Sequence, residues 1–408
     1  MEKYATGADN VSILAGIRVI DFTHYIAGPF ASQILGDQGA EVIKVERIEG
    51  ESGRKAEPHH NDYSLYFAAQ NRNKLGLSID LKSRNGQEII RRLIKKSDLV
   101  ITNYSVDVPK RLGIDFDTIS KINPKISMIH ITGFGLNGPY KDYTAYDGII
   151  QAMSGFASLN GHPGDPPTNA STYIADQITG LQAAMGAVMA LFHREKTGKG
   201  INVDISMLDS MVSMLGYALT NVIAKGADIE ERYGNRDPRS FTNAYPTKDG
   251  FIFIAPITPK MWEALCKLMK KDEWLHDDSP YSSREGRMKN RDELEKMISK
   301  WTMQYTKKEA FHLLQQAGVA CGPYNTLMDV VQDSQVKYRN MLRKVKIDDC
   351  GGHVFLNGVP IKTIESSTFE LNPPPKLGEH NEEILRKLGF STEEINHFKK
   401  NRVVSNES

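Results

Sequence analysis

The sequence predicts an α/β protein: a doubly wound parallel sheet in a large domain, followed by a smaller α+β domain. Three observations carry this reading. Residues 18–46 run strand, loop, helix, strand, the order of a parallel sheet with crossover helices. Further short apolar strands at 99–102 and 126–132 alternate with helical stretches. Beyond the polar, glycine-bearing stretch 225–239 the pattern changes to one strand and a group of helices.

Residues 18–22 (RVIDF) form the first strand, and 24–29 (HYIAGP) the loop that leaves it. In such sheets this loop lies where ligands bind, and Gly28-Pro29 permits a tight turn at the start of the helix 30–39. The second strand is 41–46, and 50–62 is a polar, mobile loop. Asn71, Arg72, Asn73 and Lys74 then gather amides and cations ahead of a strand at 76–81, a composition suited either to phosphate or to a solvated edge. After an amphipathic helix at 86–97 and the buried strand 99–102, Asn103 and Tyr104 fall on the ligand side of the sheet, with Arg111 in a short helix.

The strand 126–132 opens into Gly133-Phe134-Gly135-Leu136-Asn137-Gly138, formally a GxGxxG. A dinucleotide fingerprint needs a helix to open on its last glycine. Pro139 follows instead, and no helix is expected before about Tyr146, so the motif reads as a hinged loop. A helix at 147–156 and a loop at 160–171 lead to the stretch 173–200, a helix apolar nearly all round, closed by His193, Arg194 and Lys196 and by Gly198. This helix is expected inside a domain or at a subunit contact; it reads as too short and too rich in glycine and alanine for a membrane span. Its one ionisable group at the apolar front is Asp176, either a cap or a carboxylate held ready for chemistry. A strand at 202–206 and an apolar helix at 207–223 complete the half. The organisation expected is 1–225 as the large domain, with linker character from about 200, 226–325 as the small domain, and 326–408 returning to the large one. In the second half, 251–255 is a strand and 260–271, 285–304 and 307–317 are helices. Short strands at 345–347, 354–356 and 361–364 and helices at 382–387 and 392–399 follow.

Composition is that of a globular protein, with 40% hydrophobic and 25% charged residues. A net charge of +1 supplies no field for nucleic acid or an anionic membrane. Cys266, Cys321 and Cys350 are scattered, which fits a reducing, cytoplasmic setting and argues against a zinc site. The start, MEKYATGADN, has no apolar core, so no secretory signal is expected.

Several segments together resemble the class III CoA-transferases, the CaiB/BaiF family of formyl-CoA:oxalate and carnitine CoA-transferases. They are LAGIRVIDFTHYIAGPFASQILGDQGAEVIKVER, NRNKLGLSIDLKS, ITGFGLNGPY, AYDGIIQAMSG, ADQITGLQAAMGAVMALFHREKTGKG and KLGEHNEEILRKLGF, in this order nearly end to end. The resemblance implies a Rossmann-like large domain, a small domain, and two ring-like chains interlocked as a homodimer. It implies that Asp176 is the catalytic aspartate. It also implies that His24, Tyr25, Ile26, Arg47, Asn71, Lys74, Asn103, Tyr104 and Arg111 contact CoA, with Tyr146 and Asp147 supporting the site. Thr144 stands where other members carry a lysine, and 242–250 (TNAYPTKDG) lacks the glycine run of the formyl-CoA enzymes, which argues against oxalate or formate.

The implied chemistry is CoA transfer from an acyl-CoA to a carboxylic acid through aspartyl anhydride and aspartyl-CoA thioester intermediates. CoA is a co-substrate, with no resident cofactor and no metal. Three other readings stand beside it. An α-methylacyl-CoA racemase would pair the aspartate with a histidine, and the corresponding place holds Tyr146, whose ordinary pKa of ~10 suits proton transfer at carbon poorly. A CoA-binding protein without catalysis would have no use for Asp176. A nicotinamide oxidoreductase rests on the GxGxxG alone.

Overall fold

The computed structural model describes residues 12–228, 232–363 and 371–405; the reading of the first ten residues and part of the 225–239 stretch lie outside them. The chain divides into two compact units, one made of residues up to Ala157, Asn169–Asn221 and those from Lys337 on, the other of Ser158–Thr168 and Val222–Val336.

The first unit is built on six strands: β1 (Arg18–Asp21), β2 (Glu41–Glu46), β3 (Lys74–Ser78), β4 (Leu99–Thr102), β5 (Ser127–Thr132) and β6 (Asn202–Ser206). They pair in the order β3-β2-β1-β4-β5-β6, parallel throughout. The two central strands carry Val19, Ile20, Val100 and Ile101, all fully buried, because both faces of the sheet are covered. On one face α1 (Ala27–Asp37) packs with a long helix, α6 (Ile174–Thr197), through Ala27, Ala31, Leu35, Ala183, Ala187 and Ala190. On the other lie α3 (Arg84–Lys95) and α4 (Phe116–Ile122). The C-terminal helices join that same core through Ile384, Leu385, Phe390, Ile395 and Phe398. Asp80 N–H bonds to Val403 O at 2.8 Å, and Ser78 N–H to the Asn381 side chain at 2.9 Å. The strand order changes direction between β1 and β4, and that is where such a sheet opens a crevice at its carboxyl end.

The remaining helices on this path are α2 (Leu65–Asn71), α5 (Asp147–Met153) and α7 (Met207–Ser213). Several expectations change. The apolar stretch 207–223 is two helices, α7 and α8 (Tyr217–Lys225), interrupted at Gly216, which has φ 55°. The 50–62 loop carries a 3₁₀ turn, Ser52–Lys55, and a small hairpin of His59–His60 with Tyr63–Ser64. Residues 361–363 form no strand, and Ile364 lies outside the described residues. The α6 helix, at 24 residues, is long and apolar enough by length and composition to cross a membrane, so shortness was the wrong argument. It is instead a helix of two faces. Small residues pack on α1 and the sheet, while Leu181, Met185, Val188, Met189 and Phe192 are exposed in a stripe along the other side.

The second unit has a three-stranded antiparallel sheet, with β7 (Asn243–Thr247) and β9 (Cys321–Pro323) flanking β8 (Gly250–Ile254). It packs on helices Pro259–Leu268, Arg291–Thr302 and Lys307–Gln316, with Trp262, Trp274 and Trp301 in the core. The first of these strands escaped the sequence reading because Asn243 and Pro246 interrupt its alternation; Pro246 is tolerated on an edge strand. The expected helix 285–304 is broken at Asn290. Back in the first unit, β10 (Leu342–Ile347) and β11 (Gly352–Asn357) form a hairpin over Ala68.

Candidate active site

A cavity of about 990 Å³ opens at the carboxyl ends of β1, β4 and β5. Its wall is made by the loop after β1, the turn after β4, the loop 141–146, the start of α5, the segment 169–173 and the first turn of α6. Asp176 is on that first turn.

The residue that caps α6 is not Asp176. The N-cap position, Tyr173, gives no side-chain bond. Asp147, buried at the start of α5, reaches across instead: its Oδ1 accepts Ala175 N–H at 2.8 Å and Asp176 N–H at 3.3 Å, and its Oδ2 accepts Gln151 Nε2 at 2.6 Å. Gln151 in turn accepts Ala170 N–H at 2.8 Å, which fixes the segment entering α6. Freed from capping, the Asp176 carboxyl faces the cavity and the backbone N–H of Ala27, the first residue of α1. Burial raises its pKa to about 7, the Asp147 carboxylate adds to this, and the Ala27 amide pulls the other way. A carboxylate with this pKa, on a cavity wall and beside a helix N-terminus, is suited to nucleophilic or general-base chemistry near neutral pH. Tyr66 stands close by; burial raises the pKa of its phenol, and Asp176 raises it further. Its ring meets Tyr173 edge-on at 6.2 Å between centroids.

The loop after β1 is fastened peptide by peptide. Thr23 N–H bonds to Asp21 Oδ1 at 2.8 Å, and Thr23 O accepts the Lys44 ammonium at 3.0 Å. The Asn103 side chain accepts His24 N–H at 3.0 Å and donates to His24 O at 2.7 Å, joining the ends of β1 and β4 across the crevice. Tyr25, with φ 65°, gives its N–H to Glu51 Oε2 at 3.0 Å. Gly28 allows the loop to close on itself, since a Cβ there would lie 2.4 Å from the Thr23 side chain. Beneath the loop lies a buried set of charges. Lys74 pairs with Asp21 at 2.9 Å, and Lys44 pairs with Glu51 at 2.9 Å, all nearly or wholly inaccessible. Burial works to raise the Asp21 pKa, but the Lys74 and Lys44 ammoniums and the Ser32 and Thr23 hydroxyls hold it at about 2. Lys74, pushed down by burial to about 8 although Asp21 supports its charge, stays protonated at neutral pH.

Of the residues expected in the site, the fold brings His24, Tyr25, Asn103, Tyr104, Arg111, Tyr146, Asp147 and Asp176 to the cavity wall. The His24 imidazole lies against Tyr104, at 5.5 Å between centroids, and burial lowers its pKa, so it is a neutral ring. Four residues are not on that wall. Ile26 is buried in the chain. Lys74 and Asn71 turn inward: the ammonium also bonds to Asn71 Oδ1 at 2.8 Å and Pro29 O at 2.9 Å. Arg47 is exposed, and its Nε bonds to Gly50 O at 2.7 Å. The block 71–74 as a whole is structural, since Arg72 grips Asp37 through two bonds of 3.0 and 2.6 Å and Asn73 adds a third at 2.8 Å. The reason is charge neutralisation: Asp21 and Asp37 are buried and need these cations. Sequence reasoning missed Tyr66, Tyr173, Gln151 and the Asp21–Lys44–Glu51 set. It also missed Lys141 on the wall, a cation three residues ahead of Thr144. Among the described residues there is no grouping of three His, Cys, Asp or Glu side chains placed to hold a metal ion.

Residues 14–381 match the family model described as CoA-transferase family III. Among curated proteins, the chain is 34% identical to the succinate–glutarate CoA-transferase of Agrobacterium fabrum, over 92% of this chain and 95% of that one. It is 32% identical to the formyl-CoA:oxalate CoA-transferase of Streptomyces avermitilis, over 96% and 99%. Among solved structures, a CaiB/BaiF family protein from Brucella suis superposes with a TM-score of 0.83 at 31% identity, covering 93% of this chain and all of that one.

Proposed function

Because the chain belongs to CoA-transferase family III and is a transferase, we propose that it moves CoA from an acyl-CoA donor to a carboxylic acid, with Asp176 as the nucleophile. The observation that carries this is the Asp176 carboxyl, uncapped, facing a cavity of about 990 Å³ beside the Ala27 amide. In this reading an Asp176 oxygen attacks the thioester carbonyl, the C–S bond breaks, and the CoA thiolate leaves a mixed anhydride. The thiolate attacks the aspartyl carbonyl, releasing the donor acid and leaving an aspartyl-CoA thioester. The acceptor carboxylate displaces CoA from it as a second anhydride, and CoA then attacks the acceptor carbonyl, giving the product and restoring the carboxylate. In this reading the Ala27 amide, which faces the Asp176 carboxyl, supports the oxyanion when the aspartyl carbonyl is attacked. Anhydrides hydrolyse readily, so the mixed anhydride must be shielded from water.

His24, Tyr25, Asn103, Tyr104 and Arg111 are the CoA contacts in this reading, with Arg111 and Lys141 as the cations on the wall for its phosphates. Arg47, exposed on the same unit, is kept as a further phosphate partner. The named substrates of the relatives favour dicarboxylic acids, succinate and glutarate first. The experiment is incubation with succinyl-CoA and a panel of carboxylic acids, read by mass spectrometry, alongside succinyl-CoA alone followed by hydroxylamine. Transfer with a hydroxamate at Asp176 is expected; transfer without modification of Asp176 rejects the covalent route. Racemisation at carbon would need a base that Tyr146 does not supply.

We also propose an interlocked homodimer in a reducing, cytoplasmic setting. Support comes from the exposed stripe Leu181, Met185, Val188, Met189 and Phe192 and from three unpaired cysteines. Light scattering at low micromolar protein should give the mass of two chains, unchanged on dilution; a one-chain mass would remove the proposal.

A further inference from the structure

Glu51 is not among the residues lining the cavity, yet it ends the chain of bonds that shapes the loop after β1. Its Oε2 holds Tyr25 N–H at 3.0 Å, and its Oε1 meets the buried Lys44 ammonium at 2.9 Å. Glu51 N–H is in turn held by Glu46 Oε2 at 3.0 Å, and Arg54 clasps Glu46 through two bonds of 2.8 and 2.6 Å. The peptide it holds is the one at which the backbone is strained: Tyr25 is a bulky residue with φ 65°, a conformation that persists where surrounding contacts over-determine it. Two residues on is Ala27, whose N–H faces the Asp176 carboxyl.

We infer that Glu51 is a positioning residue for the reaction: through Tyr25 it fixes the turn that aims the Ala27 amide at Asp176. Without its carboxylate the Tyr25 N–H loses its partner, and the peptide between His24 and Tyr25 is held only at its carbonyl end, by Asn103 at 2.7 Å. The turn relaxes, and the Ala27 amide moves off the carboxyl. Lys44 alone does not replace it, because Lys44 holds the loop at Thr23 O, two residues earlier. Of the other groups around the Asp176 carboxyl, Asp147 stands on another segment, while Tyr66 also feels the Glu51 charge, whose loss eases the upward push on its phenol. The catalytic part of the inference rests on the reading of Asp176 as nucleophile.

The test uses Glu51→Gln, which keeps the shape but not the charge, and Glu51→Ala, which keeps neither. With succinyl-CoA and glutarate, kcat is expected to fall about tenfold to a hundredfold, the scale of a misplaced reacting group, while the KM for succinyl-CoA rises by a smaller factor, since Tyr25 is one of several wall residues read as CoA contacts. The alanine variant should lose more than the glutamine variant. The Asp176 carboxyl, followed by carbon NMR against pH and assigned with Asp176→Asn, should titrate at higher pH once the Ala27 amide no longer supports its charge. That titration needs no turnover, so it separates failure of this inference from failure of the transferase reading. Folded variants in which the Asp176 midpoint does not move, or in which KM rises while kcat stays, overturn it.

Discussion

Asp176→Asn is expected to fold, to be at least as stable as the wild type at neutral pH, and to lose CoA transfer by several orders of magnitude. Loss of transfer follows from chemistry, since an amide oxygen cannot form and release an anhydride at a useful rate. Unimpaired folding follows from the structure, because the cap of α6 is Asp147. The gain in stability follows from linkage. The folded carboxyl titrates near 7, above its ordinary value of 3.8, because burial penalises the charge. As pH rises between those values, the unfolded chain has already released the proton that the folded chain retains, so wild-type stability falls with pH and levels off above 7. The charged group then costs about 4 kcal/mol at most, a cost the asparagine variant avoids. Chemical denaturation of both proteins from pH 4 to 8 should show curves that part progressively. Curves that stay parallel would mean that Asp176 has an ordinary pKa. Wild-type transfer should rise through pH 7 as the nucleophile ionises.

The second large effect is on stability. Lys74→Ala should lower it by roughly 3–5 kcal/mol, because it leaves the Asp21 carboxylate buried without its nearest cation. Arg47→Ala should change stability by less than about 0.5 kcal/mol, as exposed substitutions do, and weaken CoA binding instead. Denaturation midpoints and calorimetry with CoA on the two variants separate these roles. Equal destabilisation by both would show that the ion pair at Asp21 matters no more than a surface charge.

The contrast between these lysine and arginine positions marks how far the sequence could be read. The placement of strands and helices along the first half was legible because apolar runs and their spacing are local; their order in the sheet was not. Asp176 was found by resemblance, and its burial could be anticipated from the helix around it. The direction of a side chain could not. Lys74 stands in a polar run that looks like a phosphate cradle, and what turns it inward is Asp21, 53 residues earlier. Asp147 could be placed near the site but not recognised as the cap of a helix 28 residues later. Glu51 was hidden in a stretch read as a mobile polar loop, because nothing local distinguishes a solvated glutamate from one that holds a distant peptide.

Gly180 gives the site a tolerance narrower than its chemistry requires. It lies one turn beyond Asp176 on α6, where the helix crosses the start of α1. A Cβ there would come within 2.7 Å of the Ala27 carbonyl and 2.9 Å of the Phe30 ring. The residue that would be pushed aside is the one whose amide faces the Asp176 carboxyl. A library that varies every position and selects for activity would therefore find Gly180 as unforgiving as Asp176, although it has no side chain to offer. Gly180→Ala would enlarge the helix crossing, since approaches of 2.7 and 2.9 Å must open to ordinary van der Waals contact. The tyrosines of the cavity wall, Tyr104, Tyr143 and Tyr146 among them, stand away from this crossing, so a change of side chain there leaves it intact.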